Sequence, residues 1–340
     1  MDKQLLMDLC ALDGVAGREG KVRDFILQKL NDMPTPKEVL VDAMGNILVH
    51  LQGKSPATKK VLFDAHMDEV GFFVTHIFDD GTLSFVNVGG IDKNVLFGQR
   101  VRIGNVYGVI GGKAVHQCSE EEKKRVPNIE DMVIDIGAAT REEAQKLVKI
   151  GQEGTFACDL QEWQEGTLVG KALDDRVGCA ILLSLAAKQP QRDIWLSFSV
   201  QEEVGLRGAD VVTAEVCPDI AIAIDATTAA DVAGSTDKTC VCRVDHGPVV
   251  SFVDGGTLYD QELYQQIRSL SADNGIKSQT KNRIAGRNNA ASLQRSFKAV
   301  RVAAVSLPCR YIHSSTCFGR WSDIEAMEQL MHLLAERLPL

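Results

Sequence analysis

Residues 194 to 208 read Ile194-Trp195-Leu196-Ser197-Phe198-Ser199-Val200-Gln201-Glu202-Glu203-Val204-Gly205-Leu206-Arg207-Gly208. An apolar run rich in β-branched and aromatic residues, with the length of a buried strand, stops at two adjacent carboxylates and a glycine turn. The pair therefore stands at the C-terminal end of a strand, the edge where open α/β sheets bind ligands. Two neighbouring acids there repel each other unless something positive lies beside or between them, and a metal ion meets that need. A solvated acidic turn is the competing reading of this stretch alone.

Two other runs end in the same way. Val61-Leu62-Phe63-Asp64-Ala65 leads into His66-Met67-Asp68-Glu69, and Ile220-Ala221-Ile222-Ala223-Ile224 ends in Asp225. A histidine at a strand end can ligate metal with one ring nitrogen while a carboxylate two residues on holds the other. At Gly170-Lys171-Ala172-Leu173-Asp174-Asp175-Arg176-Val177-Gly178 helical spacing returns through Val177, Ile181, Leu182 and Leu185. One aspartate of the pair is expected to cap that helix, which leaves the other free for metal. A last strand, Val300 to Leu307, runs on toward His313. Three candidate strands ending in His66, Glu202-Glu203 and Asp225 form a pattern that separate structural roles explain poorly.

The rest of the chain reads as scaffold. Helical spacing covers residues 3 to 11 and 19 to 32, and a hairpin turns at Met44-Gly45-Asn46. From about 70 to 164 short β-like runs alternate with Asp79-Asp80-Gly81, Gly89-Gly90 and Gly111-Gly112, the texture of a small all-β, barrel-like module inserted into an α/β domain. The expected division is thus 1 to 69 with 165 to 340 as a discontinuous catalytic domain, and 70 to 164 as the insert.

At 340 residues, 45% hydrophobic and 24% charged, the composition is that of an ordinary globular protein. The excess of 46 acidic over 37 basic residues argues against a nucleic-acid or anionic-membrane partner. Nine scattered cysteines without a CxxC pair suit reduced thiols, and the N-terminal residues lack a signal-peptide core, so a cytoplasmic protein is expected. There is no P-loop, and no glycine-rich turn has the context of a dinucleotide site.

Together His66, Asp174, Glu203, Asp225 and His313 supply two imidazoles and three carboxylates, a set suited to two zinc-like or cobalt-like ions with one carboxylate bridging them. Such ions, roughly 3.5–4 Å apart, polarise a carbonyl, supply a water of lowered pKa and steady an oxyanion. Glu202, next to a ligand without being one, suits the general base.

The motifs His66-Met67-Asp68-Glu69-Val70-Gly71-Phe72, Val88-Gly89-Gly90, Asp135-Ile136-Gly137-Ala138, Lys171-Ala172-Leu173-Asp174-Asp175-Arg176, Gln201 to Gly208 and Arg310-Tyr311-Ile312-His313-Ser314 resemble those of the tetrahedral, co-catalytic dimetal aminopeptidases. That family includes glutamyl, leucyl and lysyl aminopeptidases and relatives often labelled endoglucanases. The resemblance implies a mixed-sheet α/β/α metallopeptidase domain with the β insert serving dimerisation, and a dodecameric homo-oligomer that admits short peptides. It also implies that His66 and Asp225 hold one ion, Glu203 and His313 the other, with Asp174 as bridge, Asp68 orienting His66 and Glu202 as base.

One turn departs from the family. Where relatives carry a Gly-Gly-Thr-Asp-type turn, this chain reads Gly286-Arg287-Asn288-Asn289-Ala290. The departure motivates an alternative, a catalytically weakened peptide-binding or assembly homologue, and makes Arg287 a candidate contact for acidic N-terminal residues. An endoglucanase reading leaves both histidines unexplained, since glycoside hydrolysis needs only two carboxyls about 5–9.5 Å apart.

Overall fold

The strand Ile220–Thr228 shows how the sheet is built. Ile220, Ile222 and Ile224 turn to one face, and Ala221 and Ala223 to the other, as the two-residue period of a strand requires. The isoleucine face packs on the helices Lys3–Ala11, Gly20–Asp32, Leu173–Ala186, Gln261–Asp273 and Trp321–Arg337. The alanine face takes Arg207–Val216 and the short helix Ala290–Leu293, which need the smaller residues to come close. Coverage on both sides explains why these strands read as continuous apolar runs rather than as alternating ones. Each Ile or Leu so buried contributes roughly 1.5–3 kcal/mol.

The computed structural model describes residues 1–338. Its main sheet has eight strands in the spatial order Lys37–Val41, Ile47–Leu51, Ile194–Ser199, Val61–His66, Ile220–Thr228, Arg301–Cys309, Val249–Val250 and Gln279–Thr280. The four central strands, from Ile194–Ser199 to Arg301–Cys309, are mutually parallel, so their C-terminal ends share one edge. The Ile220 strand does not stop at Asp225 as the apolar run suggests. It continues to Thr228, because the β-branched Thr227 and Thr228 go on pairing, the latter opposite Cys309.

Between Asp68 and Thr167 the chain leaves this sheet. Strands Gly71–Ile77, Leu83–Val88, Val133–Asp135, Val106–Gly111, Arg100–Ile103 and Glu153–Phe156 close into a barrel, around a core in which Phe72 meets Phe85 and Phe156 edge-on. The chain returns through a three-stranded sheet of Gln161–Glu162, Thr167–Gly170 and Cys317–Arg320. At the neck, Glu69 accepts from Lys171 Nζ at 2.8 and 3.0 Å and lies 3.3 Å from Arg176 Nη2. All three side chains are buried, so this ion cluster pins the exit of the barrel excursion to its re-entry. No helix among the described residues is long and apolar enough to cross a membrane.

Candidate metal centre

His66 is the last residue of its strand and pairs in register with Ser199. Beyond Ser199 the chain turns tightly, with Gln201 at φ 56° and the N–H groups of Gly205 and Leu206 both donating to the Glu202 carbonyl. Gly208 closes the turn against the strand. A Cβ there would lie 2.4 Å from the Val200 carbonyl oxygen and 2.5 Å from Asn46 Oδ1, so only glycine fits. The Glu pair is held from the other side by Asp68, whose Oδ1 and Oδ2 accept the amides of Glu202 and Glu203 at 3.0 Å each. Of the Asp174-Asp175 pair, Asp175 takes the capping role: its Oδ1 accepts from Gly178 N–H at 3.0 Å and its Oδ2 from His66 N–H at 3.2 Å.

Asp174 faces both ways. Its Oδ1 lies 3.1 Å from His66 Nε2, and its Oδ2 lies 3.3 Å from His313 Nε2. Asp225 Oδ1 is 3.8 Å from the same His66 nitrogen, and Glu203 Oε1 is 3.3 Å from the same His313 nitrogen. Two clusters result, His66 with Asp174 and Asp225, and Asp174 with Glu203 and His313, each with its donor atoms within 4.8 Å of one another. Glu202 belongs to neither cluster and lines the cleft beside them.

The far side of each imidazole fixes its tautomer. His66 Nδ1 faces the Asp68 carbonyl at 3.1 Å, with an Asp68 carboxylate oxygen at 3.5 Å, and His313 Nδ1 faces the Gly90 carbonyl at 3.0 Å. A carbonyl only accepts, so both protons sit on Nδ1 and both Nε2 lone pairs aim at carboxylates. Lone pairs facing carboxylates need a cation or a proton between them. Two neutral imidazoles and three carboxylates, sharing Asp174, fit a pair of divalent ions such as zinc or cobalt.

The electrostatics state the same need. Burial works against a charged His313, yet its hydrogen bond to Asp174 and the Glu203 charge raise it to about 10. Burial also opposes the charged form of His66, and its carboxylate contacts with Asp174, Asp225 and Asp68 overcome that and hold it high. Burial and the neighbouring Asp174 charge push Glu203 up to about 8 and Asp225 up to about 6. Glu202 is raised far above the ordinary carboxylate range, by burial first and by Asp225, Glu203 and Asp68 in turn. Asp174 alone stays low, because its bonds to the two histidines outweigh its burial.

A cleft of about 160 Å³ opens on the centre, bounded by Asp174, Glu202 and Asp225 and, across from the ligand strands, by the segment holding Lys281 and Gly286 to Asn288. The altered turn is therefore a wall of the cleft. Asn289 anchors it from below, its Nδ2 donating to Asp64 Oδ2 and Ser199 Oγ at 2.8 Å each, while Asn288 Oδ1 accepts from Ala290 N–H at 2.9 Å. Sequence reasoning missed Asp64, Ser199 and Asn289 as supports. It also missed Gly90, through which the barrel excursion reaches His313, although the Gly89-Gly90 pair stood out in the motifs. Lys281 gave no signal at all, being one lysine in a polar stretch.

The chain is similar to known proteins over nearly its whole length. The family model for M42 glutamyl aminopeptidase matches residues 45–330. The chain is 33% identical over 352 residues to the lysyl aminopeptidase of Pyrococcus furiosus, covering 99% of this chain and 98% of that one. It is similar to the solved TET aminopeptidase from the marine sediment archaeon Thaumarchaeota archaeon SCGC AB-539-E09, with a TM-score of 0.94 and 30% identity over 99% of this chain and 96% of the other. The TET1 peptidase of Pyrococcus horikoshii, described as able to assemble into a tetrahedron or a large octahedral shell, matches with a TM-score of 0.86 and 31% identity over 98% and 99% of the two chains.

Proposed function

The chain belongs to the M42 glutamyl aminopeptidase family and is a metal-dependent peptide-bond hydrolase, and from that premise we propose that it removes N-terminal residues from short peptides at the centre around Asp174. The observation that carries the reading is Asp174 itself, one carboxylate with an oxygen toward each of two histidines. In this reading His66 and Asp225 hold one ion, Glu203 and His313 the other, and Asp174 both. Zinc or cobalt suits the donor set, and such ions when bound polarise the scissile carbonyl and lower the pKa of water. Glu202 acts as the general base, taking the proton of the attacking water and giving it to the leaving amine. Asp68 positions His66 through its carbonyl and the Glu pair through its carboxylate.

Residues 70 to 164 serve as the oligomerisation module of a homo-oligomer, dimers assembling into a closed dodecamer. Val86, Phe97, Tyr107 and Val109 of this module are exposed, which favours a covered surface, and a relative forms shells. Nine free cysteines favour the reducing cytoplasm.

Metal analysis beside a substrate panel tests the reading. The expected result is two ions per chain, hydrolysis of aminoacyl p-nitroanilides and short peptides, and none of their N-acetylated forms or of a soluble glucan. A folded chain with two ions that cleaves no free N-terminus would leave only a peptide-binding role, and a monomer in light scattering would sink the assembly.

A further inference from the structure

The turn that carries Glu202 and Glu203 is held by side chains from distant parts of the chain. Four consecutive amides take part. Val200 N–H donates to Asn46 Oδ1 at 2.9 Å, Gln201 N–H to Glu19 Oε1 at 3.1 Å, and Glu202 and Glu203 N–H to the two oxygens of Asp68 at 3.0 Å each. Gln201 is the pivot of this row. At φ 56° it occupies the left-handed region, which a residue with a Cβ keeps only where its surroundings over-determine it. The bond from Glu19 is made at that residue's own amide, so it acts on the direction in which the chain leaves its strand.

Glu19 stands at the start of helix Gly20–Asp32, yet its side chain does not cap that helix. It is 6% exposed, its Oε1 is shared between the amides of Gly17 and Gln201, at 2.6 and 3.1 Å, and among the described residues no lysine, arginine or histidine forms an ion pair with it. A buried carboxylate without a cation is costly, and backbone N–H donors are what hold it in place. The same loop brings Val15 and Ala16 into one apolar cluster with Val204, the residue after the Glu pair. The loop therefore grips the turn on both sides of the two glutamates, by a hydrogen bond at Gln201 and by packing at Val204. Resting on the reading in which Glu202 is the general base, we propose that Glu19 is a positioning residue for the reaction, setting through the Gln201 amide the angle at which Glu202 meets the attacking water. Glu19 neither lines the cleft nor belongs to either cluster of candidate ligands, so its effect passes through Glu202 and spares substrate binding and metal content.

The test uses the metal-loaded, assembled protein with Leu-p-nitroanilide. Glu19→Ala removes the acceptor, and kcat is expected to fall roughly 10- to 100-fold, the scale for a small misplacement of a reacting group, while KM and the metal content by elemental analysis stay near wild type. Glu19→Gln keeps an acceptor oxygen at the same reach and should retain most of kcat. The deciding measurement repeats Glu19→Ala in a Glu202→Gln background. With the base gone its aim no longer matters, so the residual rate should fall little further. A merely structural glutamate would lower the rate by the same factor in both backgrounds, which overturns the proposal. So does wild-type kcat in Glu19→Ala, and so does the loss of an ion from that variant, which would place the action of Glu19 on Glu203. If Glu19→Ala does not fold, Glu19→Asp, one methylene short of the two amides, takes its place in the same comparison. Near wild-type turnover in Glu202→Gln alone overturns the reading of Glu202 and this proposal together, whereas a slow Glu202→Gln with equal Glu19 effects in both backgrounds overturns the proposal and leaves that reading standing.

Discussion

The carboxylate of Asp68 grips the backbone of Glu202. Its Oδ1 accepts that residue's amide at 3.0 Å, and its Oδ2 accepts the amide of Glu203 at the same distance. A single buried residue thus sets where the proposed base and a candidate ligand point, through its carboxylate, while its backbone carbonyl holds His66 Nδ1. Asp68→Asn keeps the shape but turns an NH2 toward one of the two amides, so the Glu pair must shift. Turnover is expected to fall about 10- to 100-fold, the range for losing a support of a metal ligand, with the fold retained. Circular dichroism beside rates at saturating metal checks it, and wild-type turnover would show that the pair needs no such grip.

The ion cluster at the neck gives a stability prediction. Glu69 compensates Lys171 and Arg176, which are 1% and 0% exposed. Glu69→Gln leaves two buried cations without their anion, and breaking a buried pair in this way costs about 3–5 kcal/mol. Urea unfolding should show that loss, together with faster proteolysis near residues 69 and 171, where the barrel excursion leaves and rejoins the sheet. A change below about 1 kcal/mol, the scale of an exposed pair, would mean that water screens the cluster.

The edge that gathers the candidate ligands was readable from sequence because its logic is local: apolar runs that stop at His66, at Glu202-Glu203 and near Asp225 place each group by its own strand. The barrel was legible from its glycine-punctuated β texture. What escaped depends on contacts far apart in the chain. The Asn289 to Asp64 bond spans 225 residues, and neither residue differs locally from an ordinary buried polar one. The length of the Ile220 strand was missed for a related reason, since Thr227 and Thr228 extend the ladder only because Pro308 and Cys309 lie opposite them.

Asn289 tests the departed turn. Its Nδ2 donates to a buried carboxylate oxygen of Asp64 and to Ser199, while its Oδ1 is buried without a partner. Asn289→Ala removes a hydrogen bond to a charged group, so a loss of about 1.5–3 kcal/mol is expected. Because Asn288 and Arg287 of the same turn wall the cleft, KM for short peptides should rise as well. Asn289→Asp sets a second carboxylate 2.8 Å from Asp64 and is expected to be the worse of the two at neutral pH, recovering toward acid as one of them takes a proton. Thermal melts of both variants at two pH values decide it, and an Asn289→Asp chain as stable as the wild type at neutral pH would show that the turn is not anchored through this contact.

Glu202 and Glu203 are adjacent and chemically identical, yet they stand in different places. Glu203 reaches His313 Nε2 at 3.3 Å within a three-residue cluster, whereas Glu202 lines the cleft outside both clusters. If Glu203 is a ligand, Glu203→Gln replaces an anionic donor by a weak neutral one, and one of the two ions should be lost or bound far more loosely. If Glu202 carries the proton from water to the leaving amine, Glu202→Gln should keep both ions and bind substrate, while turnover falls by at least the roughly 10²–10⁴-fold typical of a lost general acid-base. One experiment therefore expects opposite patterns: metal content down in the first variant, metal content kept and turnover down in the second. Elemental analysis of the two purified proteins, beside their rates at saturating metal, separates them. Near wild-type turnover in Glu202→Gln, or equal loss of metal from both, would mean that the two roles are assigned to the wrong carboxylates.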